Sequence, residues 1–493
     1  MSDLFQIADG KTVVDERISE KLFLISSIHP ESAQEDSTSY EWDERGMAEL
    51  FALTYSQECR YCYEHKSWYT YRDGVWKKDQ DALLVMSKII EFTRILTLYS
   101  STITDNDKRE SYIKFMTKVG DRRFRERLIK DAANNDSLLI SASMFDSNPY
   151  LINCKNVTVD LSSGDYHEHN PNDLLTMQTR FSYTPWLHNE CPRWNKFINE
   201  VMSGDENKVK YLQKALGYSI LGKGNEECMF LFYGKTTRNG KSTLLNTIEH
   251  LLGDYSSVSP VSIICKSTSN KSAEQANPMI ASLKGKRFVT MAESNQYGKL
   301  DEEQIKQLTG GEEIKARNLY EKPITFLPQF TLFLSCNDLP MVQDKSLFYS
   351  DRLRVIEFNR HFKAEEQDKN LKNFFCQEES MRGIFAWLVE GYQLYTKEGL
   401  KMPDVVQKAV NQYAKDNDLV ELFLEEKCEI KDEGMMKSKV LYETYKMWCQ
   451  ANNSYACSAR KFYAEMDTHM EWYKDLKSRD GYKMYVGLCF KGE

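Results

Sequence analysis

The segment Tyr233-Gly-Lys-Thr-Thr-Arg-Asn-Gly-Lys-Ser-Thr243 constrains this chain more than any other. It follows Cys228-Met-Phe-Leu-Phe232, a short apolar and aromatic run that reads as a buried strand. It precedes Leu244, Leu245, Ile248, Leu251 and Leu252, which repeat at helical spacing until Gly253. Strand, glycine-bounded loop and helix in that order make a P-loop, where backbone N–H groups and the positive end of the helix dipole cradle phosphate. Lys241 is expected to reach the β- and γ-phosphates of ATP, and the Ser242 hydroxyl to bind Mg²⁺. Gly234, Arg238, Asn239, Gly240 and Thr243 complete the expected nucleotide-binding stretch. Five residues separate Gly234 from Gly240, where the common motif has four. Either the loop is one residue longer, or Lys235 takes the place of the first glycine. A chance Gly-Lys-Ser in a surface turn is the bland alternative, and the flanking strand and helix argue against it. P-loops serve kinases, switches, motors and transporters alike, so the motif alone names a ligand and no task.

A chain of 493 residues predicts about three domains. Hydrophobic residues at 41% and charged residues at 28% describe a soluble globular protein. No run approaches the ~18 apolar residues of a membrane span, and the polar start Met1-Ser-Asp-Leu-Phe-Gln6 lacks a signal-peptide pattern. Twelve cysteines without framework spacing predict reduced thiols, hence a cytoplasmic protein with no membrane partner. The net charge of −8 gives no whole-molecule attraction to nucleic acid, so any DNA contact must come from a local patch or a ring of subunits.

Residues 1–39 read as a loosely attached leader ending in the polar linker Glu31-Ser-Ala-Gln-Glu-Asp-Ser-Thr-Ser39. An α+β domain is expected over 40–190. In it, Cys59-Arg-Tyr-Cys62 is a lone C-x-x-C without a second pair, which favours ordinary thiols over a metal site. Trp68–Tyr71 and Val75-Trp76 flank the turn Arg72-Asp-Gly74 as an aromatic hairpin, and Thr158–Leu161 with Tyr166-His167 form a second. His167 and His169 lack a third ligand for a metal. Nine Lys or Arg against three acids between residues 108 and 130, with an apolar face from Tyr112 to Leu128, predict a basic amphipathic helix or helix pair. That surface suits nucleic acid or merely water.

The ATPase domain is expected over 191–402. Arg287-Phe-Val-Thr-Met-Ala-Glu293 is a strand whose terminal carboxylate meets the need of a P-loop ATPase to hold Mg²⁺ through water and orient the attacking water. Ala292 precedes it, so the usual pair of acids is reduced to one. Phe330–Ser335 is a further strand, and Asn337 at its end can sense a γ-phosphate. Residues 403–493 predict helices followed by a hairpin around Arg479-Asp-Gly481, the pattern of a winged-helix-like domain, with Lys474, Lys477, Arg479 and Lys483 on or near the wing.

The series Gly234–Thr243, Glu293, Lys306-Gln-Leu-Thr-Gly-Gly311, Ala316-Arg317, Phe326-Leu-Pro328, Asn337 and Asp351-Arg-Leu-Arg354 resembles the motifs of superfamily 3 helicases, in their phage and plasmid primase-helicase branch. Arg45-Gly46, Arg60-Tyr61, Trp68, Asp73-Gly74, Trp76 and Asp79 resemble the helical domain that precedes the ATPase there, and Asp160-Leu161, Gly164 and Pro192-Arg193-Trp194 extend the likeness. The resemblance implies an α/β fold with an AAA+ P-loop core, a hexameric ring, and ATP held between neighbours. Lys241 and Ser242 then bind triphosphate and Mg²⁺, Glu293 polarises water, and Asn337 is the sensor. An arginine from the adjacent subunit completes the site; in this superfamily it follows the sensor by about fifteen residues, which lands on Arg352, with Arg354 second. Lys315, Arg317, Tyr320 and Lys322 fall on a hairpin that projects into the pore to grip DNA. Only about 40 residues precede Glu41, so a self-contained priming domain is not expected. The implied activity is ATP-driven unwinding of single-stranded or forked DNA in phage or plasmid replication, in a bacterial host cytoplasm, beside a separate primase or other replication proteins. An origin-binding initiator that barely translocates, or a regulatory P-loop ring, are the alternatives.

Overall fold

The computed structural model describes residues 5–8, 11–14, 16–28, 43–185, 190–266, 277–292, 299–319, 322–342, 345–452, 454–479 and 482–492. Two compact units result: Met1–Glu190 with Ile248–Tyr255 and Cys376–Ala386, and Cys191–Thr247 with Ser256–Phe375 and Trp387–Glu493.

The first unit builds a helical core around the helix Glu44–Tyr55, whose N-terminus Asp43 caps by accepting from Gly46 N at 2.7 Å. Phe51, Tyr55 and Phe92 pack edge-to-face and stacked at 4.8–6.1 Å between ring centres. The expected leader differs from its reading: Glu16–Ile28 is a helix whose Ile18 and Ile25 enter this core. Their spacing over seven residues puts both on one face, a signal that the polar stretch after residue 30 obscured. The aromatic hairpin forms as Ser67–Arg72 against Val75–Lys78, and Thr158–Asp160 pairs with Tyr166–His167. The basic stretch is a helix pair, Asn106–Val119 and Arg122–Ala132, burying Tyr112, Met116, Phe124 and Leu128. All twelve cysteines are thiols outside any disulfide. Burial pushes the Cys59 thiol up to about 12, which suits an inert core thiol.

The second unit is organised on a five-stranded parallel sheet. Its strands are β1 (Met229–Tyr233), β2 (Ser256–Pro260), β3 (Phe288–Ala292), β4 (Thr331–Cys336) and β5 (Leu353–Glu357), in spatial order β2-β3-β4-β1-β5. Near-continuous apolar runs are what a sheet covered on both faces requires, and Met229–Phe232 and Phe288–Met291 are buried throughout. Helix α1 (Lys241–Leu252) follows β1, and Leu244, Leu245, Ile248, Leu251 and Leu252 form its buried stripe. Helix α2 (Glu302–Thr309) follows β3, capped by Asp301, which accepts from Gln304 N at 3.1 Å. A parallel sheet flanked by helices is the fold that the resemblance implies for this segment.

The short helix α3 (Ser346–Tyr349) leads into β5. Beyond the sheet, α4 (Leu419–Lys427), β6 (Cys428–Lys437), α5 (Ser438–Ala451), α6 (Ala459–Met466), β7 (Asp475–Arg479) and β8 (Tyr482–Phe490) form a winged helix with antiparallel order β6-β8-β7. Strand β6 has no sequence signature: Glu429, Lys431, Asp432 and Glu433 interrupt it, and its register shifts between Ile430 and Met435. Lys474 and Lys477 of the expected wing pair with Asp432 at 2.6 Å and Asp475 at 3.6 Å. No helix among the described residues is long and apolar enough to cross a membrane.

Lys345 joins this module to the sheet. Its ammonium meets the carboxylates of Asp418, at 2.5 Å, and Glu465, while His469 Nε2 lies 3.0 Å from Asp418. Burial pushes the Asp418 carboxyl up, but His469 and Lys345 outweigh it and hold that group well below the usual carboxylate range. The hydrogen bond to Asp418 raises His469 above the ordinary 6.5, against the opposing effect of burial. A histidine raised in the folded state contributes stability that is complete below the unfolded value and lost as pH rises through the folded one. The melting temperature is therefore expected to fall as pH rises through the raised His469 value. Replacing His469 by Gln should flatten that fall; an unchanged profile in thermal denaturation would show that His469 does not titrate there.

Candidate active site

Strand β1 delivers Gly234 directly from the middle of the sheet, and Gly234 N donates to Cys336 O at 3.2 Å. A Cβ at Gly234 would stand 2.5 Å from Asn239 Nδ2 and 2.6 Å from Phe358 O, so only glycine fits. That settles the spacing question in favour of a loop one residue longer, with Lys235 exposed outside the first-glycine position. Gly240 has φ +88°, and a Cβ there would meet Val201 Cγ1 at 2.4 Å. Between them Arg238 takes φ +58° and stays exposed, while buried Asn239 donates to Thr236 O at 2.5 Å. Phe362 N donates to Arg238 O at 2.9 Å, which pins the loop from the segment after β5.

Lys241 opens α1 with its side chain buried. Its ammonium donates to Gly234 O at 3.0 Å, Cys336 O at 2.7 Å and Asn337 Oδ1 at 3.0 Å. The expected phosphate ligand and the expected sensor are thus in direct contact at the ends of β1 and β4. Ser242 is exposed and Thr243 half-buried on the first turn. A helix N-terminus, an ammonium and two hydroxyls form a donor set chemically suited to a polyphosphate and its Mg²⁺. Glu293, expected at the end of β3, lies outside the described residues.

Arg352 occupies the opposite end of the sheet. In the parallel pairing of β1 with β5, Met229 faces Leu353 and Tyr233 faces Glu357. Arg352 therefore enters where β1 begins, and Gly234 leaves where β1 ends. The five residues of β1 between them span roughly 16 Å at ~3.3 Å per residue. Arg352 Nη2 lies 2.6 Å from Glu227 Oε2, and Nη1 donates to Thr309 Oγ1 at 2.9 Å. Its partner Glu227 is 55% exposed, while the Arg352 side chain is 17% exposed. Arg354 is different: it is buried, pairs with Glu226 at 3.2 Å, and donates to Leu400 O at 2.7 Å. That environment makes Arg354 a structural cation. Glu226 and Glu227 precede β1 and Thr309 ends α2, and nothing local in the sequence points from any of them to Arg352 or Arg354.

Between β3 and β4, Ile314–Ala316 pairs antiparallel with Ile324–Phe326. Lys315 and Lys322 of this hairpin are exposed, Arg317 is half-buried and Leu319 is 63% exposed. Tyr320 lies outside the described residues.

Residues 48–203 match the family described as "D5 N terminal like", residues 232–352 a "Family of unknown function (DUF5906)", and residues 415–488 "Poxvirus D5 protein-like". The chain is 26% identical to "Putative helicase L207/L206" of Acanthamoeba polyphaga mimivirus, over 80% of this chain and 44% of that protein. It is 23% identical to "Putative helicase 121R" of Invertebrate iridescent virus 3, over 58% and 33% respectively. It is 20% identical to "Putative primase C962R" of African swine fever virus, over 62% and 32%. The chain therefore spans less than half the length of these relatives. The apo structure of the NrS-1 C-terminal region shares the fold at a TM-score of 0.50 and 12% identity, covering 91% of this chain and all of that one. With D5-like families matched on either side of the Gly234–Thr243 segment, and proteins named as viral helicases and a primase among those it matches, the chain is similar to the primase-helicase family.

Proposed function

We propose that this chain is an ATP-driven DNA helicase of viral replication, working as a ring in which each ATP lies between two subunits. One observation carries the reading: Lys241 and Arg352 stand at opposite ends of one parallel sheet. An arginine roughly 16 Å from its own P-loop along the strand direction is useless to that loop and available to a neighbour's. Lys241, Ser242 and Thr243 would hold ATP with Mg²⁺, which together supply the phosphoanhydride and its charge neutralisation. Asn337, bonded to Lys241 through Oδ1, is the proposed sensor of a terminal phosphate or water. Glu293, which follows Ala292 in the sequence, is the proposed base that orients the water. Arg352 would leave Glu227 and stabilise charge developing on the neighbour's terminal phosphate.

The Lys315–Lys322 hairpin is the proposed DNA grip, and repeated around a ring it would give a basic channel within an acidic particle. A hexamer, as the superfamily 3 resemblance implies, is the proposed assembly. The names of the relatives support a replication role, with a primase or other replication proteins as partners. The test is ATP turnover with and without single-stranded DNA, followed by unwinding of forked DNA. Turnover should rise with DNA. Replacing Lys315 and Lys322 by Ala should weaken DNA affinity and lower the salt slope by about 1 per lysine removed. DNA-stimulated turnover without directional unwinding would favour an initiator, and turnover indifferent to DNA would sink the motor reading.

A further inference from the structure

Lys345 stands seven residues before Arg352, and the backbone between them is continuously hydrogen-bonded. Phe348 N and Tyr349 N donate to Lys345 O at 3.0 and 3.3 Å, Asp351 N to Phe348 O at 3.3 Å, and Arg352 N to Leu347 O at 3.2 Å. Such a segment moves as one piece. Its first residue is gripped by the C-terminal module, since Asp418 caps α4 and Glu465 lies on α6. Two neighbouring contacts fix the same piece: Phe348 packs edge-on against Tyr413 at 4.9 Å, and Lys306 of α2 donates to Ser346 Oγ at 2.7 Å. Asp418, Glu465 and His469 form a set with the geometry of a cation site, and the Lys345 ammonium is the cation that serves it.

Resting on the reading that Arg352 acts on a neighbour's ATP, we infer that Lys345 is a positioning residue through which the winged-helix module sets the stance of Arg352. The module then influences hydrolysis in the adjacent subunit's pocket while leaving its own P-loop untouched. A shift of about 1 Å in a reacting group can cost on the order of 100-fold in rate, so the ion cluster is large enough in effect to matter.

Replacing Lys345 by Met should lower kcat roughly 10- to 100-fold with KM for ATP nearly unchanged, and Lys345→Arg should recover most of the loss. The decisive measurement is turnover of mixed assemblies. Lys345→Met keeps an intact pocket and Lys241→Ala keeps an intact Arg352, so mixing them should restore turnover above either alone. Arg352→Ala mixed with Lys241→Ala is the control. Recovery in both mixtures supports the inference. Recovery in the control alone overturns it while the shared-site reading survives. Recovery in neither removes the shared site and this inference with it. If Lys345→Met fails to fold, Asp418→Asn carries the same test, because Asn keeps the cap on α4 while removing the charge that holds Lys345.

Discussion

Replacing Lys241 by Ala is expected to lower ATP turnover by about 10²- to 10³-fold, the usual cost of removing one preorganised charge from a reacting centre. The ammonium is buried at the start of α1 and held by three oxygens, two of them backbone carbonyls at the ends of β1 and β4. Its position is therefore fixed by the sheet, before any nucleotide arrives. Losing it also leaves Gly234 O, Cys336 O and Asn337 Oδ1 with one donor fewer, an expected cost of about 1–3 kcal/mol in stability. Nucleotide binding and thermal melting separate the two effects. Turnover within a few-fold of wild type in Lys241→Ala would show that this loop is not a hydrolytic site.

Arg352→Ala should be as damaging by another route, with turnover down about 10³-fold or more and nucleotide binding retained. Its partner Glu227 is mostly exposed, but the Arg352 side chain is 17% exposed and also donates to Thr309 Oγ1, so its loss should cost about 1–2 kcal/mol and lower the melting temperature modestly. Arg354→Ala makes the contrast. It strips a buried guanidinium from Glu226 and Leu400 O, and should cost about 3–5 kcal/mol of stability. An inactive but stable Arg352 variant beside an unstable Arg354 variant is the expected pattern. The reverse pattern would move the catalytic role to Arg354.

The core of this fold was legible because its signals are local. Apolar runs for β1, β3 and β4, the helical stripe of α1, and the glycine-bounded loop between them can each be read within about ten residues. Even the longer loop was visible as a question, and only the space around Gly234 answered it. What escaped depends on contacts across long separations. Glu227 meets Arg352 over 125 residues and Lys345 meets Glu465 over 120, pairings that no periodicity encodes. Strand β6 escaped for a different reason: it is an edge of a small sheet with acids facing water, so it has no alternating pattern. The helix Glu16–Ile28 was hidden by its polar surroundings although its own apolar spacing was present.

The measurement that tests the shared site most directly is ATP turnover on single-stranded DNA by Arg352→Ala and Lys241→Ala subunits, each alone and mixed in equal amounts at constant total protein. If each pocket takes its arginine from a neighbour, the mixture should turn over ATP well above either variant alone, because an intact pocket then meets an intact arginine. A mixture no more active than the mean of the two variants would mean that each subunit hydrolyses ATP with its own arginine, and would contradict the account.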